Sequence, residues 1–387
     1  MLVCAVIFHL FILYGLKSEW PVPLFNDARF RTARADMMGT YVAGHRALSG
    51  EDVYKTGAIE GVPPYYPFRY LPVYAYAVGV PMNALSPQNA YFAWVALSEF
   101  LFLLMIVVVA RMIENPRTFA VAASAMLAYS AVFLEYRLGQ ANVAQALLLV
   151  LCVHLLERRS ATAVAPWTGA VLWKMNGAIL APAFLKLRQF KAVGICGAVL
   201  IAATAPYFIA HPESIEGFRM NFQRLDILHA GNQGLMALFL KVRTIFGLPY
   251  FANYIMIALV LACAAWITVK ADSKKIFELC ALWIAAYFLV YNHVWETHYV
   301  MLLPFAAVAI GRERALLPAV ALLILLLPTP LYFFVGQIPQ AAGDSEFAVG
   351  AGLSLAHHLF KPLSAILMFA WAVKRALIPA DPSSGTA

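Results

Sequence analysis

The sequence predicts an all-α polytopic membrane protein, and its composition and patterning both support that class. Hydrophobic residues make up 63% of the 387 residues, charged residues make up 12%, and the mean hydropathy is +0.75. A soluble domain cannot shield that much apolar surface from water. Apolar runs recur along nearly the whole length, so residues 1–375 are interpreted as one membrane domain. Residues 376–387 are predicted to be a short disordered tail.

The net charge of +8 comes largely from lysines and arginines at the ends of the apolar runs. Pairs such as Arg158 with Arg159 and Lys274 with Lys275 fall in short loops. This pattern is typical of the cytoplasmic loops of membrane proteins, not of a basic stripe that binds nucleic acid. The partner indicated is a lipid bilayer, and no nucleic acid is expected.

The loop charges predict about twelve membrane spans with both termini in the cytoplasm. Residues 1–16 resemble the core of a signal peptide but lack a small-residue cleavage site, so they form the first span. Residues 67–85 are assigned as an interfacial or re-entrant piece, because a span there would place Arg111 and Arg117 outside. The predicted spans are residues 1–16, 91–111, 118–134, 141–157, 162–173, 175–187, 192–210, 250–269, 276–291, 299–311, 315–334 and 352–373.

Two of these spans are short. Residues 162–173 and 175–187 each fall below the ~20 residues that cross a bilayer. Merging them would place Arg159 and Lys186 on opposite sides of the membrane, which the charge rule disfavours. They are predicted to form a hairpin with Lys174 at its outer turn.

Polar residues gather on the predicted extracytoplasmic side. The first loop there, residues 17–90, is long and holds Asp36 in a polar stretch. Charged and hydrogen-bonding groups beside a membrane are costly unless they are paired or functional, so their convergence predicts a site. The polar residues of the exterior loops are Asp36; Glu135, Arg137, Gln140 and Asn142; Lys174; Asn232 and Gln233; and His293, Glu296 and His298.

Several segments follow one another in the order found in a known family. They are Asp36 with Tyr41 and the run 43–54, PheArgTyrLeuPro at 68–72, TyrArgLeuGlyGlnAlaAsn at 136–142, TrpLysMetAsn at 173–176, GlyAsnGlnGly at 231–234 and HisValTrpGluThrHisTyrValMetLeuLeuPro at 293–304. Together they resemble glycosyltransferase family 87, the polyprenyl-phosphate-mannose-dependent mannosyltransferases of the GT-C superfamily, over roughly residues 30–310. Thr297 departs from the family's paired histidines, and Met175 departs from its usual residue after the lysine.

The resemblance implies a GT-C type bundle whose long first extracytoplasmic loop supplies the catalytic acid. The donor would be a sugar, mannose in that family, on a polyprenyl phosphate, and the acceptor would be a glycolipid or glycan. Transfer would take place at the outer face of the cytoplasmic membrane, with inversion at the anomeric carbon. Because the lipid-linked sugar is a substrate, no cofactor is predicted.

Glycosyl transfer from a lipid phosphate needs a base for the acceptor hydroxyl and positive charge for the departing phosphate. Asp36 is the candidate base. Lys174, His298 and Arg137 are the candidate phosphate ligands, since cationic side chains pair readily with phosphate. The candidate ligands of the sugar or acceptor are Tyr41, Gln140, Asn142, Asn232, Gln233, His293 and Glu296.

Simpler interpretations stay open for several of these residues. Asp36 could cap the helix that follows or pair with Arg34, and Lys174 could extend from a helix end to the interface. Glu135 and Arg137 could form a local ion pair at the exterior interface. The five cysteines have no paired spacing and no metal motif is present, so no metal is predicted, although Asp36 and Glu135 together could hold a divalent cation.

A different class of function also fits the composition. A polytopic bundle with internal polar residues can be a transporter or a lipid-linked sugar flippase, and such proteins often show internal repeats with polar groups at mid-depth. The two halves of this chain show no convincing repeat, and the polar residues lie at one face. The absence of a glycine-rich nucleotide loop fits a lipid donor. An acyl- or phosphotransferase acting on lipid would share this topology and differ in its donor.

Overall fold

The computed structural model describes residues 1–18, 34–220, 232–247, 249, 251–313, 315–328 and 351–378, which are mostly helical. The strand-like feature among these residues is an isolated antiparallel bridge between Asn232 and Trp295. The helices of the first half are α1 (Leu2–Ser18), α2 (Ala35–Leu48), α3 (residues 72–82, with a π turn at Ala75–Gly79), α4 (Pro87–Met112), α5 (Pro116–Leu127), α6 (Val132–Leu138), α7 (Asn142–Glu157) and α8 (Val164–Trp173). Those of the second half are α9 (Ala181–Lys186), α10 (Phe190–Ala210), α11 (Ser214–Arg219), α12 (Leu235–Phe246), α13 (Ala252–Lys270), α14 (Ile276–Val290), α15 (Leu303–Glu313), α16 (Leu316–Leu326) and α17 (Ala351–Leu377). Two six-residue 3₁₀ segments, Met175–Leu180 and Glu296–Met301, lie between helices.

Within the described part of the chain, α4, α10 and α13 are long and apolar enough to cross a membrane. α5 and α6 make a fourth candidate if they are counted as one span bent by 45°. Shorter apolar stretches lie in α1, α7, α14 and α16. The chain is therefore a helical membrane protein, and the count of twelve spans stays a prediction.

Parts of four predicted segments lie outside the described residues. They are residues 19–33 of the first exterior loop, residue 250 of the eighth span, residues 329–334 of the eleventh span and residues 379–387 of the tail. The helix before the tail continues to Leu377, two residues further than the predicted end of the membrane domain.

α14 lies at the centre of the bundle. Nearly every residue from Ile276 to Leu289 is buried, and the helix is apolar on all sides, as expected for a helix enclosed by others. It packs against α7, α13 and α17. Because α17 also packs along α16, this C-terminal helix closes one side of the core.

Two glycines bring α2 and α3 into contact. A Cβ on Gly44 would lie 2.1 Å from the carbonyl carbon of Gly79, and one on Gly79 would lie 2.5 Å from the carbonyl oxygen of Thr40. Backbone therefore meets backbone at the π turn, which only glycine permits. With about 11 residues, α3 rises about 16 Å, roughly half the hydrocarbon thickness, so it does not cross a bilayer alone. The contact anchors α2, the helix that carries Asp36, on the piece that the sequence assigns to the membrane interface.

A third glycine fixes the turn between α6 and α7. Gly139 ends α6 with φ 70° in the left-handed region. A Cβ at this position would lie 2.4 Å from the Cβ of Met37 in the first turn of α2. This close approach places the next residue, Gln140, beside Asp36.

A hairpin forms where the sequence predicts one, from α8 and the 3₁₀ segment that follows it. Trp167 Nε1 donates to the carbonyl oxygen of Gly177 at 3.1 Å. A Cβ on Gly177 would lie 2.6 Å from the carbonyl carbon of Ala170, so the two arms touch through their backbones. Lys174 is the extended residue between the arms.

We expect Gly139→Ala to destabilise the protein more than Gly247→Ala. Both glycines have positive φ, 70° and 64°, so alanine costs about 1–2 kcal/mol at each. A Cβ at Gly247 meets nothing within 4 Å, whereas at Gly139 it meets Met37, and overpacking adds about 1–3 kcal/mol. Thermal unfolding of the purified protein in detergent measures the difference, and equal losses for the two variants would contradict the close packing.

Candidate active site

Asp36 lies in the first turn of α2, where it is partly buried. Its Oδ2 accepts a hydrogen bond from Gln140 Nε2 at 2.8 Å. Burial raises the pKa of Asp36 to about 6, although the positive charges of Lys174 and Arg69 and the Gln140 hydrogen bond act to lower it. A carboxyl with a pKa close to neutral can take up a proton and release it again.

Glu135 caps the helix α7. One of its carboxylate oxygens accepts from the backbone N–H of Asn142 at 2.6 Å and of Val143 at 3.1 Å, and the other accepts from Asn142 Nδ2 at 2.9 Å. The carboxylate thereby satisfies two N–H groups that have no partner within the helix, at the end where negative charge is favourable. Asn142 is fully buried, so its side chain is held in one orientation.

Lys174 completes this network. Its Nζ donates to Asn142 Oδ1 at 2.5 Å and lies 5.7 Å from the centre of the Tyr70 ring. Burial lowers the pKa of Lys174, and the carboxyls of Glu135 and Asp36 act in the opposite direction. The lysine therefore lies within electrostatic range of two carboxyls and is held by Asn142, and its role as a phosphate ligand stays a prediction.

One hydrogen-bonded chain thus joins residues from three separate parts of the sequence. It runs from Asp36 through Gln140 and Asn142 to Lys174, and its longest link, between Gln140 and Asn142, measures 3.5 Å. All four residues are ones that the sequence predicts for the site, and the fold brings them together.

An aromatic wall, formed by Tyr70, Tyr74, Trp94 and Trp173, lies beside this chain. Tyr70 stacks on Tyr74 with 4.3 Å between ring centroids. Trp173 stands edge-on to Tyr74 at 4.9 Å and stacks on Trp94 at 6.1 Å. Trp94 Nε1 donates to the carbonyl oxygen of Gln140 at 3.1 Å, so the wall also holds the turn between α6 and α7.

His298 lies in the second 3₁₀ segment and is buried. Its Nδ1 accepts from the backbone N–H of Trp295 at 3.3 Å. Burial, together with repulsion from Lys174, holds the pKa of His298 well below its ordinary value. The imidazole is therefore neutral at neutral pH, and its proton is on Nε2 because Nδ1 accepts. In this state the imidazole is a hydrogen-bond donor without a charge, and its role as a phosphate ligand stays a prediction.

Arg69 is a residue of this site that the sequence analysis did not single out. It lies one residue before the aromatic wall, on a segment beside the first turn of α2, where Tyr66 N–H donates to the carbonyl oxygen of Ala35 at 3.1 Å. Its side chain is exposed and acts electrostatically on Asp36. Arg69, like Lys174 of the hairpin, is a basic residue on the predicted outer side. Basic residues are enriched in cytoplasmic loops, so this exception to the charge rule could have identified it.

Asn232 and Gln233, predicted sugar ligands, instead join chain segments to one another. Asn232 Nδ2 donates to the carbonyl oxygen of Asn292 at 2.8 Å, and its Oδ1 accepts from the backbone of the same segment. Gln233 Nε2 lies 2.7 Å from His357 Nε2 on α17. These contacts favour the interpretation of both residues as part of a turn.

Glu296, another predicted sugar ligand, forms a buried ion pair. Its Oε1 lies 3.0 Å from the Nζ of Lys361, and both side chains are at most 4% exposed. The same Nζ donates to the carbonyl oxygens of Leu325 at 2.9 Å and Leu327 at 2.6 Å, where the end of α16 favours a cation. Glu296 therefore fastens the 3₁₀ segment of His298 to α16 and α17. A lysine inside an apolar run signals a buried partner, and here that partner is Glu296.

Three further predicted residues make contacts elsewhere. The Tyr41 hydroxyl donates to the carbonyl oxygen of Leu85 at 3.0 Å, which ties α2 to the turn after α3. Arg137 is buried, and its carbonyl oxygen accepts a hydrogen bond at 2.7 Å from the backbone N–H of Arg34, the residue before α2. His293 Nε2 accepts from Trp295 Nε1 at 2.6 Å.

The described residues include no group of three or more His, Cys, Asp or Glu side chains arranged to hold a metal ion. Asp36 and Glu135 are the pair that the sequence allows for a shared cation. Positive charge already reaches both of these carboxyls from Lys174.

Comparison with known proteins identifies the family of this chain. The model of glycosyltransferase family 87 matches residues 68–292, more than half of the chain. The chain belongs to glycosyltransferase family 87. No curated protein matches it. The family-87 match includes Arg69, Gln140, Asn142 and Lys174, begins after Asp36 and stops before the second 3₁₀ segment. As a membrane glycosyltransferase, the protein acts on a sugar donor and an acceptor.

Lys361→Met is expected to destabilise this family-87 protein by about 3–5 kcal/mol, because it leaves the buried Glu296 carboxylate without its partner. Lys374 lies at an exposed position on the same helix as Lys361. Lys374→Met is therefore the matched control and should change the free energy of unfolding by less than about 0.5 kcal/mol. Adding Glu296→Gln to Lys361→Met should recover part of the loss. Thermal unfolding in detergent tests all three variants, and similar values for the two lysine variants would contradict the buried pair.

Proposed function

We propose that this protein transfers a sugar, mannose by family resemblance, from a polyprenyl phosphate to a hydroxyl group of a glycolipid or glycan. The observation that carries the proposal is the hydrogen-bonded chain that joins the carboxyl of Asp36 to the ammonium of Lys174. A proton acceptor and a cation in one site are what glycosyl transfer from a phosphate needs. Membership of family 87 supports sugar transfer as the reaction class.

In the proposed reaction, the acceptor oxygen attacks the anomeric carbon of the donor sugar while ionised Asp36 takes the hydroxyl proton. The bond from that carbon to the phosphate oxygen breaks, and its electron pair leaves with the phosphate. A single displacement of this kind inverts the anomeric centre. Gln140 orients the carboxylate through its 2.8 Å hydrogen bond.

The departing phosphate needs positive charge and hydrogen-bond donors. Lys174 supplies fixed charge, and neutral His298 supplies the N–H of Nε2. Asn142 is fully buried, its Nδ2 donates to Glu135, and its Oδ1 accepts from Lys174. We therefore assign Asn142 to positioning Lys174 and not to contact with the sugar. The aromatic wall offers ring faces that suit a sugar or a prenyl chain.

We place the site on the extracytoplasmic side of the cytoplasmic membrane, with both termini in the cytoplasm, on the basis of the loop charges. The apolar helix α10 turns most of its side chains outward, as a lipid-facing helix does. It also packs against α3, next to the aromatic wall. A prenyl chain can therefore stay in the bilayer while its phosphate reaches the polar network.

Asp36→Asn is expected to lower the rate of sugar transfer by about 10²–10⁴-fold, because the amide cannot accept the hydroxyl proton. Asp52→Asn is the comparison, since Asp52 lies in a separate cluster with Ser214 and Tyr207 and should retain transfer. Purified protein is incubated with a polyprenyl-phosphate-linked sugar and candidate glycolipids, and product is counted. Folding is checked by thermal unfolding. Unchanged transfer by folded Asp36→Asn would end the assignment.

The rate should depend on pH through Asp36. Its pKa of about 6 is raised above the ordinary carboxyl value, so the base form is lost as the pH falls through 6. Below that pH, kcat/KM should fall about tenfold for each unit, and above it the rate should level off. Initial rates measured between pH 4.5 and about 8 test this, with the residual activity of Asp36→Asn as control. If Asp36→Asn showed the same fall in rate below pH 6, the titration would belong to another group.

The transport alternative has its own outcome in a reconstituted system. A flippase would move the lipid-linked sugar across a liposome membrane without forming a new glycosidic bond, whereas the proposed enzyme forms that bond. Lipid movement without product, in the presence of active acceptor, would favour the transporter.

A further inference from the structure

Arg69 is a cation beside Asp36 whose side chain is exposed. Within the described part of the chain, no hydrogen bond or ion pair joins this side chain to another residue. Lys174, in contrast, donates to Asn142 at 2.5 Å and balances the carboxyls of Asp36 and Glu135. Among the described residues, Lys174 is thus a cation with a fixed hydrogen-bond partner, and Arg69 is a cation with an exposed side chain.

The backbone of Arg69 is held firmly although its side chain is exposed. Tyr66 N–H is bonded to the carbonyl oxygen of Ala35 at 3.1 Å, so the segment 66–70 runs along the first turn of α2. Phe68 is buried on one side of the arginine. On the other side, the ring of Tyr70 stacks in the aromatic wall. A long cationic side chain thus leaves a fixed backbone next to Asp36.

Arg69 acts electrostatically on residues from two separate parts of the chain. Its guanidinium acts electrostatically on the carboxyl of Asp36 and on the phenol of Tyr291. Tyr291 lies at the end of α14, just before the segment that leads to His298. Arg69 is therefore within electrostatic range both of the proposed base and of the end of the helix that leads to the histidine segment.

We propose that Arg69 binds the phosphate of the lipid-linked donor, an inference that rests on the proposed function. A guanidinium presents two parallel N–H groups that match two phosphate oxygens, which an ammonium cannot do. As the bond to the sugar breaks, the phosphate changes from a diester to a monoester and gains negative charge, while the acceptor proton goes to Asp36. Lys174, held by Asn142, supplies positive charge to the carboxyls and the phosphate together, and the Arg69 guanidinium binds the phosphate oxygens and stabilises the charge that develops on the leaving group.

The test compares two lipids that differ only in the phosphate: a polyprenyl phosphate and the polyprenol of the same chain length. Their affinities are measured on the full-length protein in lipid nanodiscs. Wild type should bind the phosphate more tightly than the alcohol. Arg69→Ala should weaken binding of the phosphate about tenfold and leave the alcohol unchanged, with Arg69→Lys in between. Arg117→Ala removes another exposed arginine, at the predicted cytoplasmic end, and should alter neither affinity.

The outcomes separate this inference from the function on which it rests. A wild-type protein without preference for the phosphate would overturn the polyprenyl-phosphate donor, and the role of Arg69 with it. A preference that survives in Arg69→Ala would overturn the role of Arg69 alone. An equal loss in Arg117→Ala would show general charge attraction and would also overturn it. With the donor saturating, Arg69→Ala should still lower kcat, because the arginine acts on the leaving group.

Discussion

The arrangement of the site depends on how Asn142 satisfies several charged groups at once. Its backbone and side-chain N–H groups bind Glu135, and its side-chain oxygen receives Lys174. Two carboxyls and one ammonium in a poorly hydrated place are tolerable only when nearly every polar atom has a partner. Asn142 meets that requirement because it starts α7, where its own backbone N–H is free to bind the carboxylate. The helix start, the charge balance and the position of the lysine are thus one structural unit.

The scaffold around this unit relies on close approaches at glycines, two of them between backbones and one between Gly139 and the Cβ of Met37. Gly44 with Gly79, Gly139 with Met37 and Gly177 with Ala170 each leave no room for a side chain. Contacts of this kind set the distance between helices more narrowly than flexible side chains do. They bring Asp36 on α2, the amides of the α6–α7 turn and the lysine of the hairpin to one place.

Much of the site could be predicted because polar residues are rare in this chain, so each one carries information. The membrane class, the family and the convergence of Asp36, Gln140, Asn142 and Lys174 all follow from such residues. The contacts of Asn232, Gln233 and Glu296 could not be predicted, because their partners His357, His358 and Lys361 lie on α17, far along the chain. Pairing through space is not visible in a linear pattern. The neutral state of His298 likewise depends on burial, which only the packed structure reveals.

α17 has a consequence for the order in which the molecule is completed during synthesis. It is the C-terminal described helix, and it carries the counter-ion of Glu296 and a histidine that binds next to Asn232. The chain that emerges from the ribosome therefore contains the acid long before its partner. Until α17 inserts and docks, the Glu296 carboxyl has no Lys361 to pair with, so the 3₁₀ segment that carries it can take its final position only after that helix is in place.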